Sequence, residues 1–152
     1  MKAVLGRRYR LSASHRLFSE SMRDDENRSV YGKCANPHGH GHNYTVEVTV
    51  GGEIDEVTGM VIDLAELDSC VNREVLEPFD HQNLNTLESF REVVPTTENL
   101  VIEIQNRLEK ALPQKLTVGV RVEETSNNYF EYREEGSARE EEFGEQGIGN
   151  RD

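Results

Sequence analysis

The run from His42 to Val50 constrains the fold more than any other segment. His42, Tyr44, Val46, Val48 and Val50 alternate with Asn43, Thr45, Glu47 and Thr49. That is the period-2 pattern of a strand with one buried and one wetted face. Residues two apart on such a strand share a face, so His40 and His42 can reach one metal ion from a single rigid segment. From Cys34 to Tyr44 the chain reads C-A-N-P-H-G-H-G-H-N-Y, with three imidazoles at alternate positions and a thiol six residues before His40. Neutral imidazole is a common zinc ligand, and a catalytic zinc takes three protein ligands and keeps one position open. A third ligand must come from elsewhere, and only His15 and His81 lie outside the run.

Other periodic segments surround this strand. Tyr9, Leu11 and Ala13 alternate within Arg7 to His15, which predicts a strand ending on His15. Arg23 to Ser29 is polar without a period and reads as a loop. Gly51-Gly52 signals a hairpin, with Gly59 to Ile62 as the returning segment. Asp63 and Glu66 resemble a capping pair, opening a helix with an apolar face of Leu64, Leu67, Val71 and Val75 that ends at Pro78. Thr97 is the expected cap of a second helix carrying Leu100, Val101, Ile104, Leu108 and Ala111, which stops before Pro113. Val118, Val120 and Val122 alternate in a further strand, and Asn127-Asn128 turns the chain into a last one, Tyr129 to Tyr132. This order predicts an α+β fold: a four-stranded antiparallel sheet with two helices packed on one face.

At 152 residues the chain has the length of one domain. Periodicity stops at residue 133, so the expected domain is 1–133, with 134–152 an acidic, disordered tail. A net charge of −12 argues against nonspecific binding to nucleic acid or to an anionic membrane. With no charged-then-apolar leader and no membrane-length apolar run, the expected location is cytoplasmic. Two cysteines give no disulfide framework. Cys70 falls in a helical apolar pattern and reads as core, whereas Cys34 sits among histidines, glycines and a proline, where packing gives it no job.

Six motifs extend the case beyond the histidine run. They are L-S-A-S-H-R-L at Leu11 to Leu17, C-x5-H-G-H-N-Y at Cys34 to Tyr44 and T-G-M-V-x-D at Thr58 to Asp63, then D-H-x-N-L-N at Asp80 to Asn85, P-T-x-E-N at Pro95 to Asn99 and E-T-x-N-N at Glu124 to Asn128. In this order they resemble the family of 6-pyruvoyl-tetrahydropterin synthases and 6-carboxytetrahydropterin synthases. Leu11 departs from the family's usual phenylalanine, and the acidic tail is additional.

The resemblance implies zinc held by His15, His40 and His42, acting as a Lewis acid on substrate oxygens. It implies Cys34 as the catalytic base, since a neighbouring metal favours the reactive thiolate, and Asp80 with His81 as an acid/base pair. Glu124 becomes the anchor of a pterin ring, its carboxylate accepting two parallel hydrogen bonds from a ring N–H and the adjacent exocyclic amine. Thr96, Thr97 and Glu98 join it as substrate contacts, although helix capping by Thr97 and a favourable helix-terminal charge on Glu98 account for them equally well.

The substrate so implied is 7,8-dihydroneopterin triphosphate, converted by a zinc-dependent lyase to 6-pyruvoyl-tetrahydropterin with elimination of triphosphate. The alternative product is the 6-carboxytetrahydropterin of queuosine biosynthesis. Cys34-x3-His38-Gly-His40 resembles that branch and Cys34-x5-His40-Gly-His42 the pyruvoyl branch; the Asn-Tyr and valine alternation after His42 favour the second, leaving His38 outside the ligand set. The resemblance also implies a tunnelling fold, in which subunits join edge to edge into a barrel-like trimer and two trimers stack, with sites between subunits. A reading of another class is a zinc-binding assembly module without turnover, which needs neither a thiol, an acid/base pair nor a ring clamp.

Overall fold

The computed structural model describes residues 1–132. In chain order its elements are β1 (Lys2–His15), α1 (Asp24–Tyr31), β2 (His40–Glu53), α2 (Leu64–Val71), α3 (Glu77–Phe79), β3 (Gln82–Asn83), α4 (Thr97–Ala111), β4 (Thr117–Thr125) and β5 (Asn128–Glu131). The sheet order is β3-β1-β2-β4-β5. β1 pairs antiparallel with β2 from Lys2 opposite Glu53 to His15 opposite His40, and β2–β4 and β4–β5 are also antiparallel.

The expected four-stranded antiparallel sheet is therefore a five-stranded mixed one. The added strand, β3, runs parallel to β1 and pairs only Ala13 with Gln82 and Ser14 with Asn83. Two residues are too few to write a period into a sequence. β1 starts at Lys2, five residues before the expected Arg7, because β2 is long enough to pair with that extension. Gly51-Gly52 is not a turn but lies inside β2: a Cβ on Gly51 would stand 2.6 Å from the Thr117 hydroxyl oxygen, so glycine admits β4 at this point. Gly59 to Ile62 is no strand either. The Asp55 carboxylate accepts from the Val57 and Thr58 amides and curls the chain directly into α2.

Asp63 caps α2 by accepting from the Ala65 amide at 2.9 Å. The helix then widens into a π turn over Asn72–Leu76 and continues through Pro78 to Phe79, beyond the expected stop. Pro78 follows directly on the π turn, as the second residue of α3. The cap of α4 is Thr96, whose hydroxyl accepts from the Asn99 amide at 3.2 Å; Thr97 is the first helical residue. The expected loop at Arg23 to Ser29 is mostly helix α1. Three acids occupy its first turn, and the buried Asn27 amide donates to the Ser19, Met22 and Arg23 carbonyls. A polar anchor of this kind leaves no apolar stripe.

The core explains why one sheet face is reserved. Leu11, Ala13, Tyr44, Val46, Val48, Val50, Val120 and Val122 pack with Leu67, Val71 and Val75 and with Leu100, Val101, Ile104 and Leu108 of α4. Each fully buried aliphatic side chain contributes about 1.5–3 kcal/mol before entropy is counted. The same strands send Arg8, Arg10, Ser12, Asn43, Thr45 and Glu47 to the other face, where none is buried. No helix among the described residues is long and apolar enough to cross a membrane. The expected tail lies outside the described residues.

Candidate metal centre

Strand register alone brings three imidazoles together. His15 ends β1 directly opposite His40, the first residue of β2, and His42 follows two positions later on the same face. One potential ligand atom from each ring lies within 4.8 Å of the other two. The ring pairs stand edge-on, with centroids 4.6 Å (His15–His40), 5.1 Å (His15–His42) and 4.7 Å (His40–His42) apart. His15 is 1% exposed, whereas His40 and His42 are partly open.

The protein sets the protonation of His15 before any ion arrives. Its Nδ1 lies 2.8 Å from the Pro95 carbonyl oxygen. A carbonyl only accepts, so Nδ1 carries the proton and Nε2 keeps its lone pair, the arrangement an outer-shell partner gives a metal-binding histidine. Burial lowers the His15 pKa, against the opposing pull of that carbonyl. Burial likewise lowers His42, against the Glu124 charge. Both effects hold neutral rings, the form a metal requires.

These residues fit zinc. Nitrogens sharing one tetrahedral zinc at about 2.0–2.1 Å stand about 3.3 Å apart, and the observed spread lies around that value, from the 3.0 Å between the Nε2 atoms of His15 and His40 to the 4.8 Å limit. Three histidines would hold an ion through uncharged imidazole nitrogens, a donor set that leaves the ion its full charge. His38 is exposed and outside the cluster. Gly39 makes the difference between them: its φ is +68°, and a Cβ there would meet the His15 carbonyl oxygen at 2.8 Å.

Glu124 completes one wall. It lies on β4, its Oε1 3.6 Å from His42 Nε2. The Thr97 hydroxyl donates to Oε1 at 2.8 Å and the Asn128 amide to Oε2 at 3.2 Å. Thr97 thus stands beside the cluster, Thr96 caps the helix, and the exposed Glu98 sits in its first turn. The Pro95 carbonyl, Tyr44, Asn85 and Asn128 also shape the site without having been singled out for it from the sequence. Tyr44 is buried against the His15 and His42 rings; burial and then the Glu124 charge push its phenol pKa upward. Asn85 grips the backbone of Arg16, accepting from its N–H and donating to its carbonyl, and so fixes the chain just past His15. An aromatic at the strand's third inward position and the motif asparagines were the available signals.

The expected acid/base residues do not join the cluster within one chain. Cys34 lies half-buried on a short 3-10 turn, Gly32–Ala35, and among the described residues no hydrogen bond joins its thiol to the imidazoles. Its backbone is tied in, because the Leu17 amide donates to the Cys34 carbonyl at 2.8 Å. Asp80 accepts from the Ser12 amide at 2.9 Å, and the His81 amide donates to the Ser12 carbonyl. His81 has φ +58°, an uncommon left-handed backbone for a residue with a side chain. Its side chain is 81% exposed, with Nε2 3.7 Å from Asp80 Oδ2. It borders a cleft shared with Ser12, Ser14, Gly41 and Asn43 of the helix-free face and with Ala13 and His42 of the other.

A family model described as 6-pyruvoyl tetrahydropterin synthase matches residues 5–135. The chain is 51% identical over 125 residues to the 6-pyruvoyl tetrahydrobiopterin synthase of Poecilia reticulata, spanning 82% of this chain and 85% of that one. It is 47% identical over 135 residues to the human protein of the same name, spanning 88% and 93%. The structure of Caenorhabditis elegans 6-pyruvoyl tetrahydropterin synthase superposes with a TM-score of 0.83 at 40% identity, over 88% of this chain and 96% of that one.

Proposed function

The chain belongs to the 6-pyruvoyl tetrahydropterin synthase family, and from that premise we propose that it is a zinc-dependent lyase converting 7,8-dihydroneopterin triphosphate to 6-pyruvoyl-tetrahydropterin and triphosphate. The observation that carries this reading is the convergence of Glu124 on the three-imidazole cluster, Oε1 lying 3.6 Å from His42. A zinc-storage module has no use for a carboxylate bracketed by two donors and open to a ligand. His15, His40 and His42 would hold the zinc, which supplies Lewis-acid charge at the substrate's side-chain oxygens.

The remaining steps belong to the chain's own groups. Glu124 accepts two hydrogen bonds from the ring's N–H and amino group and fixes the side chain against the cluster. Cys34 takes a carbon-bound proton, and His81, oriented by Asp80, returns a proton elsewhere on the side chain. The rearrangement is an internal redox step that ends with triphosphate leaving, so no outside oxidant is needed. The helix-free position of His81 supports a site assembled between subunits, with His81 supplied by a neighbouring copy. β3 and β5 leave sheet edges on which copies can pair into a trimer or a dimer of trimers.

The spacing favours the pyruvoyl product. His38 is exposed while His40 and His42 cluster, so the Cys34-x5-His40 register, not Cys34-x3-His38, is the one that leads into the metal ligands. Incubating the zinc-loaded protein with dihydroneopterin triphosphate and weighing the product by mass spectrometry tests the reading. A pyruvoyl product that disappears in Cys34→Ala at unchanged zinc content supports it. A carboxyl product overturns the product assignment, and full turnover by Cys34→Ala overturns the assigned base.

A further inference from the structure

Glu124 is the extra residue of a β-bulge. On β4 and β5, Glu123 pairs with Tyr129 and Thr125 with Asn128, which leaves Glu124 without a cross-strand partner. Bulges of this kind re-aim a side chain, and this one directs the carboxylate toward His42. An exposed glutamate on a plain hairpin would sweep several rotamers. Here both oxygens are engaged: Thr97 donates to Oε1 and Asn128 to Oε2. An ionised carboxylate offers about four acceptor sites, so one bond on each oxygen leaves capacity on both for a ligand.

The turn itself fixes which way Asn128 faces. The Thr125 hydroxyl donates to Asn128 Oδ1 and accepts from the Asn127 amide. With its oxygen committed, the Asn128 side chain has only its NH2 to offer Glu124. Asn128 is exposed, so packing does not account for the contact.

We propose that Asn128 is a positioning residue: through its amide it sets the plane of the Glu124 carboxylate, making the pair selective for a heterocycle edge that carries two adjacent N–H donors. Thr97 donates to the opposite oxygen and so holds the carboxylate from its other side. The inference rests on the reading of Glu124 as the ring anchor, and its test separates the two.

The probes are pterin, whose 2-amino-4-oxo edge offers N–H beside NH2, and lumazine, which carries a carbonyl in place of that amine. Binding of each to the zinc-loaded protein is read by fluorescence titration. Wild type is expected to prefer pterin by about 10- to 100-fold, the value of a hydrogen bond to a charged acceptor together with the repulsion of a facing carbonyl. Glu124→Gln abolishes that preference. Asn128→Ala reduces it to within about threefold while zinc content is kept, and in turnover it raises KM with kcat changed less than about twofold. Asn128→Asp retains the acceptor that holds the turn and replaces the donor with a carboxylate oxygen that repels Glu124, so it gives at least the same loss of preference even if the alanine variant fails to fold. A wild type that binds both probes equally overturns the anchor reading and this inference together. A wild type that discriminates, a Glu124→Gln that does not, and Asn128 variants that discriminate as wild type does overturn this inference alone.

Discussion

His15 and His40 face each other across β1 and β2 with their Nε2 atoms 3.0 Å apart. His15 Nδ1 donates to the Pro95 carbonyl, so the Nε2 of His15 brings a lone pair to this contact. Two imidazoles hold such a distance by sharing either a proton or a cation, and His42 beside them supplies a third donor suited to the cation. His40→Ala removes one donor from a partly open strand end. Zinc measured by elemental analysis after dialysis is expected to fall from about one per chain to near zero, a larger loss than the 10- to 100-fold that removal of an outer-shell partner costs. Retention of stoichiometric zinc by this variant would rule out the cluster as the metal site.

Gly39 is held at φ +68° with the His15 carbonyl 2.8 Å from where a Cβ would stand. Gly39→Ala therefore adds left-handed strain to a backbone collision at the residue that carries the buried ligand. The expected cost is about 1–3 kcal/mol in denaturant unfolding, accompanied by weaker zinc binding because β2 must shift against β1. Gly32 also has a positive φ, +59°, yet nothing lies within 4 Å of its would-be Cβ. Gly32→Ala thus supplies the control: it pays for strain but should retain zinc.

The pH dependence of the metal-free protein follows from burial of the rings. Burial lowers the folded-state pKa of both His15 and His42, so below the ordinary value near 6.5 the unfolded chain takes up protons that the folded chain resists. Their contribution is complete above that value and is lost as pH falls toward the folded pKa values. Thermal melts of the metal-free protein should show Tm decreasing from pH 7.5 to pH 5.5, and His42→Gln should flatten part of that slope. Zinc should raise Tm at the upper end and progressively less at the lower, since protons compete for the same nitrogens. A Tm that rises on acidification would contradict the neutral-ring assignment.

What could be read from the sequence was whatever carried a period. β2, the face of α2 and the stripe of α4 each repeat an apolar residue at strand or helix spacing, and all three formed. α1 and β3 have no such repeat: one is anchored by the Asn27 amide and the other by two backbone pairs beside Ala13 and Ser14. The site divides in the same way. H-x-H on an alternating strand makes a shared face explicit, and β1 then has to end opposite it for His15 to arrive. The Pro95 contact uses a backbone carbonyl, which no residue type advertises, and the Asn85 side chain grips the backbone of Arg16, so its motif position marks it without naming its target. Asp80 and His81 were identifiable as a pair, but their placement at the helix-free face depends on β3 pairing parallel to β1, which a two-residue strand does not announce.

That placement leads to the last prediction. His81 borders a cleft with Ser12, Ser14, His42 and Asn43, yet its side chain is 81% exposed and stands outside the three-imidazole cluster. If the site is assembled between subunits as proposed, Cys34 and His81 reach it from two copies of the chain. Cys34→Ala and His81→Ala should each be inactive as homo-oligomers, with losses on the order of 10²–10⁴-fold for removal of a proton-transfer group. Mixed, dissociated and reassembled, the two variants should regain activity, because some interfaces then pair an intact Cys34 with an intact His81. For random mixing of equal amounts, about a quarter of the two-chain sites are intact on both sides, so recovery toward a quarter of wild-type turnover is the expected result. Size-exclusion chromatography of the mixture checks that oligomers have reformed. Activity that stays at the level of the separate variants in such oligomers would place both groups in one chain's site.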